Sequence, residues 1–294
     1  MARPATFPGT ANPPTALART RSRRISWPTV VVHIILLFSG FLMVAPFLWM
    51  IITSFKPSHE IVTKTPHILP THPTLSNYSA LPDAAPFLRF FANSVIISGV
   101  STIFVAFGCA AAGYALAKYP FRFLQICFAL ILATILIPLE TYIIPLYLMM
   151  NRFGWVNTYQ GMIFPFIIMS SGIFFLRQNI LSIPDDLIDA ARLDGASEFG
   201  IFWHIILPLS IAPIAAISII NWVYSWSMFI WPLIIASRTE MFTMEIGLMY
   251  FQRQFSVDYG GIMAACVITV LPVLIVFMIF RTRIIEGVAT SGLK

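Results

Sequence analysis

Three stretches of the sequence gather side chains able to do more than fill space. The first is Ser182-Ile183-Pro184-Asp185-Asp186-Leu187-Ile188-Asp189-Ala190-Ala191-Arg192-Leu193-Asp194-Gly195-Ala196-Ser197. With Glu198 it sets five acids against the single Arg192. Amphipathic helices that lie on lipid carry a basic polar face, so an anionic bilayer would repel this one and a protein surface suits it better. The second is Asn221-Trp222-Val223-Tyr224-Ser225-Trp226-Ser227-Met228-Phe229. Trp222, Ser225, Trp226 and Phe229 recur at i, i+3, i+4 and i+7, one face of a helix. Aromatic faces stack on the C–H faces of sugars, and Asn221, Tyr224 and Ser225 could bind hydroxyls; packing against lipid or neighbouring helices is the alternative use of the same face. The third is Glu140, a lone acid between Pro138 and Pro145 in an apolar run. Intramembrane acids face a bundle interior or an aqueous cavity.

Other chemistry finds no residues. There is no G-x-x-x-x-G-K-[ST] phosphate loop. Cys109, Cys127 and Cys266 fall in apolar runs and read as packing residues. His59, His67 and His72 are too loosely spaced for a metal site, and His33 and His204 stand alone. We expect no catalytic residue, no metal and no cofactor on this chain.

The elements that hold these stretches follow from composition. Of 294 residues, 58% are hydrophobic and 10% charged, with mean hydropathy +0.84. An ordinary soluble domain is about 25% charged, so neither a water-soluble fold nor a disordered chain fits. The net charge of +6 reflects basic loops of a membrane protein rather than nucleic-acid binding. Gaps between charged residues predict spans at about 29–55, 90–117, 123–150, 159–180, 205–236 and 259–280. In lipid these must be helices. The expected fold class is all-α, a polytopic protein with six transmembrane helices. A tail (1–28) precedes a transmembrane domain (29–294), and residues 1–24, rich in Pro, Ala and Thr, are expected to be disordered. Ser22-Arg23-Arg24 hints at a twin-arginine signal, but the apolar run after it is too long and lacks a cleavage site, so it reads as a retained first helix.

Lys and Arg divide twelve to six between the two sides, which places both termini and the 181–204 loop in the cytoplasm. On the outer side, segment 56–88 holds six prolines and is expected to be extended, solvated chain. In the 181–204 loop, Ser182 and Asp185 have capping-box spacing and Pro184 suits a first turn, predicting a helix from about Ile183 to Leu193. Gly195 suits a positive-φ exit, and a second helix should run from Ala196 to about His204. Leu187, Ile188 and Leu193 would offer apolar contact. Leu187 and Ala191, at i and i+4, share a face.

Asp189-Ala190-Ala191, then Asp194-Gly195-Ala196, then Ile205-Ile206-Leu207-Pro208 resembles the EAA loop of binding-protein-dependent ABC importer permeases, with Asp189 in place of the usual Glu. Ser54-Phe55-Lys56-Pro57, Asn77-Tyr78, Asn93-Ser94, Ile137-Pro138, Pro145-Leu146-Tyr147 and Glu286-Gly287 through Lys294 resemble the smaller permease of maltose and glycerol-3-phosphate importers. The resemblance covers about residues 30–294. It implies a bacterial inner-membrane subunit that binds no cofactor itself. Its implied partners are a second permease, two ATPase subunits carrying ATP and Mg, a solute-binding protein and a sugar-like solute. It also implies that Leu187, Asp189, Ala190, Ala191, Asp194, Gly195 and Ala196 dock the ATPase, and that the tail with Arg281, Arg283 and Glu286 can reach it. Relatives commonly read Trp-Asn-Asp or Trp-Asn-Glu where this chain has Trp226-Ser227-Met228. A self-sufficient secondary transporter or channel is the alternative; it would want internal repeats or several intramembrane charges, and only Glu140 is present. A membrane enzyme would want clustered acids or histidines at the membrane surface.

Overall fold

The computed structural model describes residues 27–63, 67–254 and 258–292, without the side chains of 253–254 and 281–292. The expected disorder of 1–24 and the reach of Arg281, Arg283 and Glu286 concern groups outside that description. The described residues form helices and turns only. Eight helices position the candidate residues: α1 (Trp27–Ser54), α2 (Phe87–Lys118), α3 (Arg122–Thr134), α4 (Leu139–Arg152), α5 (Ser170–Leu181), α6 (Asp185–Leu193), α7 (Ile211–Trp226) and α8 (Tyr259–Gly292). The chain divides into two units, 1–47 and 48–294, and α2 onward belongs to the second.

α1, α2 and the Tyr259–Phe280 part of α8 are each long and apolar enough to cross a membrane. The other crossings are bent pairs: α3 with α4 at 108°, Tyr159–Phe166 with α5 at 45°, and Glu198–Leu209 with α7 at 77°. Counting each pair as one span gives six. The regions expected as spans at 123–150, 159–180 and 205–236 are thus bent pairs, and proline is the reason. Pro138 disfavours helix at Ile137 and becomes the N-cap of α4. Pro165 has no N–H for the carbonyl of Gly161, which instead accepts from Trp231 Nε1 at 3.0 Å. Pro213 likewise has none for Leu209, and the chain turns at Ser210. Such breaks are tolerated in a bilayer where protein covers the freed backbone.

α2 is the central helix and packs along both α5 and α7. Small residues let the backbones approach: a Cβ on Gly113 would lie 3.1 Å from Leu176, and one on Gly172 would lie 2.9 Å from Cys109 Sγ. Toward Lys118, a cluster of Cys109, Ala110, Tyr114, Ile173, Leu176, Ile180, Ile188, Ile201, Phe202 and Ile206 gathers α2, α5 and the 181–206 segment into one core.

The outer segment is not extended, solvated chain. It holds short helices at Ser58–Ile61, Ser76–Ser79 and Leu81–Ala84. Buried polar groups fold it. Glu60 accepts from Thr71 Oγ1, from Thr71 N at 2.9 Å and from His72 N at 3.1 Å. Those bonds, Thr71 Oγ1 first, hold the Glu60 carboxyl below its ordinary value. Lys56 Nζ donates to the His67 carbonyl at 2.6 Å, and Asn77 Nδ2 donates to the carbonyls of Ser54 and Lys56, both at 2.8 Å. Proline density reports where regular helix stops; it does not report whether the remaining polar groups find partners.

Candidate functional site

The 181–204 loop is a knuckle whose stiffness has identifiable sources. α6 starts at Asp185 with Pro184 as N-cap and no side-chain cap, so the expected capping box is absent. Ser182 Oγ instead donates back to the Asn179 carbonyl at 2.6 Å. The Asp185 carboxylate is taken by Lys118 Nζ at 2.6 Å, which also donates to the Ile183 carbonyl at 2.6 Å. A charge-assisted bond outcompetes a neutral cap. At the far end Gly195 stands at φ 81°. Gly195 N donates to the Arg192 carbonyl at 3.0 Å and Ala196 N to the Ala191 carbonyl at 2.9 Å. This is the Schellman pattern, which needs a left-handed residue at the exit. The second helix starts two residues later than expected, at Glu198, because Ser197 Oγ accepts from Gly200 N at 3.1 Å and caps it. It then widens into a π turn over Phe202–Ile206.

The knuckle has an inner and an outer side. Ile188, expected to face outward, is buried at 2% exposure, and Ala191 packs half-buried against the same core. Leu187, Asp189, Ala190, Asp194, Gly195 and Ala196 are exposed, and Leu193 is 90% exposed. The Leu187–Ala191 face is thus shared between the protein's own core and the surface. Beside it lies a cleft of about 370 Å³ lined by Ala117, Lys118, Pro120, Asp185, Asp189 and Arg192.

Glu198 is the node of the knuckle. Its carboxylate accepts from Arg192 Nε at 2.8 Å, from Tyr119 Oη at 2.5 Å and from Tyr114 Oη at 2.9 Å. Arg192 Nη1 reaches Asp189 at 3.1 Å. The Arg192 guanidinium above all, then the phenols, pull the Glu198 carboxyl down to about 2, against a burial effect that would raise it. The same contact raises the Arg192 value. Burial, then Glu198, raises the Tyr119 phenol. Lys118, Tyr114, Tyr119 and Glu198 escaped the sequence reading as a group. The partners lie 79 and 84 residues apart, and the only local signal was two tyrosines flanking a lysine at the end of an apolar run.

The aromatic stretch divides differently from its helical wheel. α7 ends at Trp226, so Phe229 lies in the turn beyond and does not continue the face of Trp222 and Ser225. Trp226 is buried, donates Nε1 to the Thr269 carbonyl at 3.1 Å and stacks on Trp222 at 5.2 Å. Asn221 is buried and donates to Thr102 Oγ1 at 3.1 Å. Ser225 is half-buried and Tyr224 exposed. Glu140 is exposed in the first turn of α4, where the helix dipole favours an anion. Glu140 and Tyr142 lie within electrostatic reach of Tyr224. Tyr142, two residues from Glu140 in α4, was not singled out from the sequence. No group of three His, Cys, Asp or Glu able to hold a metal occurs among the described residues.

Comparison with known proteins gives consistent matches. The family described as "Binding-protein-dependent transport system inner membrane component" matches residues 105–289. The arabinooligosaccharides transport system permease protein AraQ of Halalkalibacterium halodurans is 35% identical over 95% of this chain and 100% of its own. The diacetylchitobiose uptake system permease protein NgcG of Streptomyces coelicolor is 30% identical over 89% of this chain and 88% of its own. Among solved structures, a chain of a bacterial ABC transporter involved in the import of alginate superposes with TM-score 0.79 at 20% identity, over 89% of this chain and 98% of that one.

Proposed function

The chain belongs to the family of binding-protein-dependent transport system inner membrane components, and from that premise we propose that it forms half of the path for a sugar or sugar-like solute, driven by ATP hydrolysed on a separate subunit. As a permease component it is a membrane subunit and not an enzyme. The observation that carries the coupling half of the proposal is the exposed acidic knuckle with its Gly195 exit at φ 81°. Leu187, Asp189, Ala190, Ala191, Asp194, Gly195 and Ala196 form the surface that an ATPase subunit grips. ATP and Mg bind there, on the partner. A second permease completes the path, and an extracytoplasmic solute-binding protein delivers the solute. Both termini lie in the cytoplasm.

Within the path, Glu140, Tyr142 and Tyr224 supply the accessible polar groups. Trp222, Ser225 and Phe229 border it, while Asn221 and Trp226 shape its wall from behind through their internal bonds. The substrate class is supported by the names of the relatives, which transport arabinooligosaccharides and diacetylchitobiose.

The test is co-purification followed by reconstitution. The chain is expressed with its candidate ATPase, second permease and binding protein, and ATP hydrolysis in liposomes is screened against oligosaccharides and glycerophosphodiesters. Hydrolysis stimulated by one loaded binding protein is the expected result. Solute movement by the purified chain alone, without an ATPase, would establish a self-sufficient transporter instead.

A further inference from the structure

A push on the knuckle is not delivered straight along the fifth span. Glu198–Leu209 meets α7 at 77° across Ser210, and the first of the two already widens into a π turn at Phe202–Ile206. α2 is different. It runs 32 residues without a break, about 48 Å at helical rise. Its inner end is fastened to the knuckle at three successive points: Tyr114 and Tyr119 to Glu198, and Lys118 to Asp185 and the Ile183 carbonyl. Its outer end is fastened to another part of the chain. Asn93 Nδ2 donates to the carbonyls of Glu240 and Phe242, both at 2.9 Å, and Asn93 Oδ1 accepts from Tyr159 Oη at 2.6 Å. Ser94 Oγ accepts from Met244 N at 2.9 Å, and Arg89 Nε donates to Glu240 O at 2.9 Å. One rigid helix therefore joins the knuckle to the 239–244 segment on the opposite side.

We propose that Glu198 is a positioning residue that locks the knuckle to α2, so that α2 carries the movement of the docked loop across the membrane to the 239–244 segment. The inference rests on the knuckle being the ATPase docking site. It differs from a route through the fifth span because the bend at Ser210 lets α7 hinge, whereas the uninterrupted α2 moves as a body.

The test uses the reconstituted complex and three readings: complex yield, basal ATP hydrolysis, and solute taken up per ATP. Glu198→Gln loses the ion pair with Arg192. Tyr114→Phe with Tyr119→Phe keeps both rings and their packing and removes only the two phenol bonds. Each is expected to keep yield and basal hydrolysis and to lower uptake per ATP about fivefold, the low end of ordinary coupling between sites. Combining them should add little, because they cut one link. Unchanged uptake per ATP in both overturns the proposal. So does a loss in which yield and basal hydrolysis fall in the same proportion, since that is the mark of a merely structural role. Failure of the wild-type chain to capture an ATPase would overturn the docking reading itself, a result separate from either.

Discussion

At the scale of single residues, Gly195 and Glu198 are the positions where backbone and charge each allow few replacements. Nothing lies within 4 Å of where a Cβ would stand on Gly195, so a larger side chain meets no neighbour there. The cost is in the backbone alone, about 1–2 kcal/mol for a residue with a Cβ in the left-handed region and more for a β-branched one. Gly195→Val is therefore expected to leave assembly partly intact while lowering uptake per ATP. Gly195→Asn, which tolerates that region, should stay near wild type. Full uptake by the Val variant would remove the bend from the mechanism. For Glu198 the carboxyl lies at about 2 instead of 4.5. A depressed carboxylate stabilises above its ordinary value and gives up that stability as pH falls toward its folded one. Arg192, Asp189, Tyr114 and Tyr119 face it, and of these the arginine stays charged throughout. A spin label at Leu193→Cys should accordingly show constant mobility from about pH 7 to 5 and loosen only below about 4.5. Loosening that begins near neutrality would contradict the latch.

At the scale of elements, two buried contacts decide whether the helices hold their places. Ile188 pins α6 onto the core formed with α2 and α5 at 2% exposure. Ile188→Ala is expected to cost about 2–5 kcal/mol, read as a lower melting temperature of the purified complex. The helix at Tyr159–Ile163 begins so close to Trp155 that a Cβ on Gly161 would stand 2.1 Å from the Trp155 carbonyl oxygen. A backbone atom cannot swing aside like a side chain. Gly161→Ala should cost at least the ~1–3 kcal/mol usual for overpacking, and unaltered thermal unfolding in detergent would refute the packing argument. The same elements mark what the sequence could disclose. Gaps between charged residues pointed to α1, α2 and the Tyr259–Phe280 part of α8, which are long and apolar enough to cross, and to the three bent pairs that make six if each counts as one span, because burial in lipid acts on each residue separately. The Asp185–Leu193 helix and its Gly195 exit were legible because a proline at the start and a left-handed residue at the exit act over a few residues. The bends were only half legible. Pro138, Pro165 and Pro213 were visible, but their outcome depends on whether another side chain, such as Trp231, meets the freed carbonyl. The Ser182 cap failed for a related reason: Lys118, 67 residues away, claimed Asp185. The bonds from Tyr114 and Tyr119 to Glu198 depended on such long-range partners entirely, and only the Arg192 contact to Glu198 was local.

At the scale of the whole molecule, the proposal requires that the knuckle and the folded outer segment lie on opposite sides of one membrane. In the proposal the Lys and Arg asymmetry gives the direction, the more basic side facing the cytoplasm. Two exposed positions report it: Leu193 at the tip of the knuckle, 90% exposed, and Ile68 in the outer segment, 69% exposed. Each is replaced by cysteine after Cys109, Cys127 and Cys266, all free thiols, are changed to serine or alanine. In intact cells an impermeant maleimide should label Ile68→Cys and spare Leu193→Cys. Inverted vesicles should show the reverse. In the purified complex, a short crosslinker on Leu193→Cys should capture the ATPase, because the leucine is too exposed to belong to this chain's own core and stands beside Asp189 and Asp194. A crosslink from Ile68→Cys should never reach the ATPase. Labelling of Leu193→Cys from outside would invert the protein, and an inverted knuckle has no access to a cytoplasmic motor. That single result would dissolve the docking surface and, with it, the role of α2 as the helix that carries force outward.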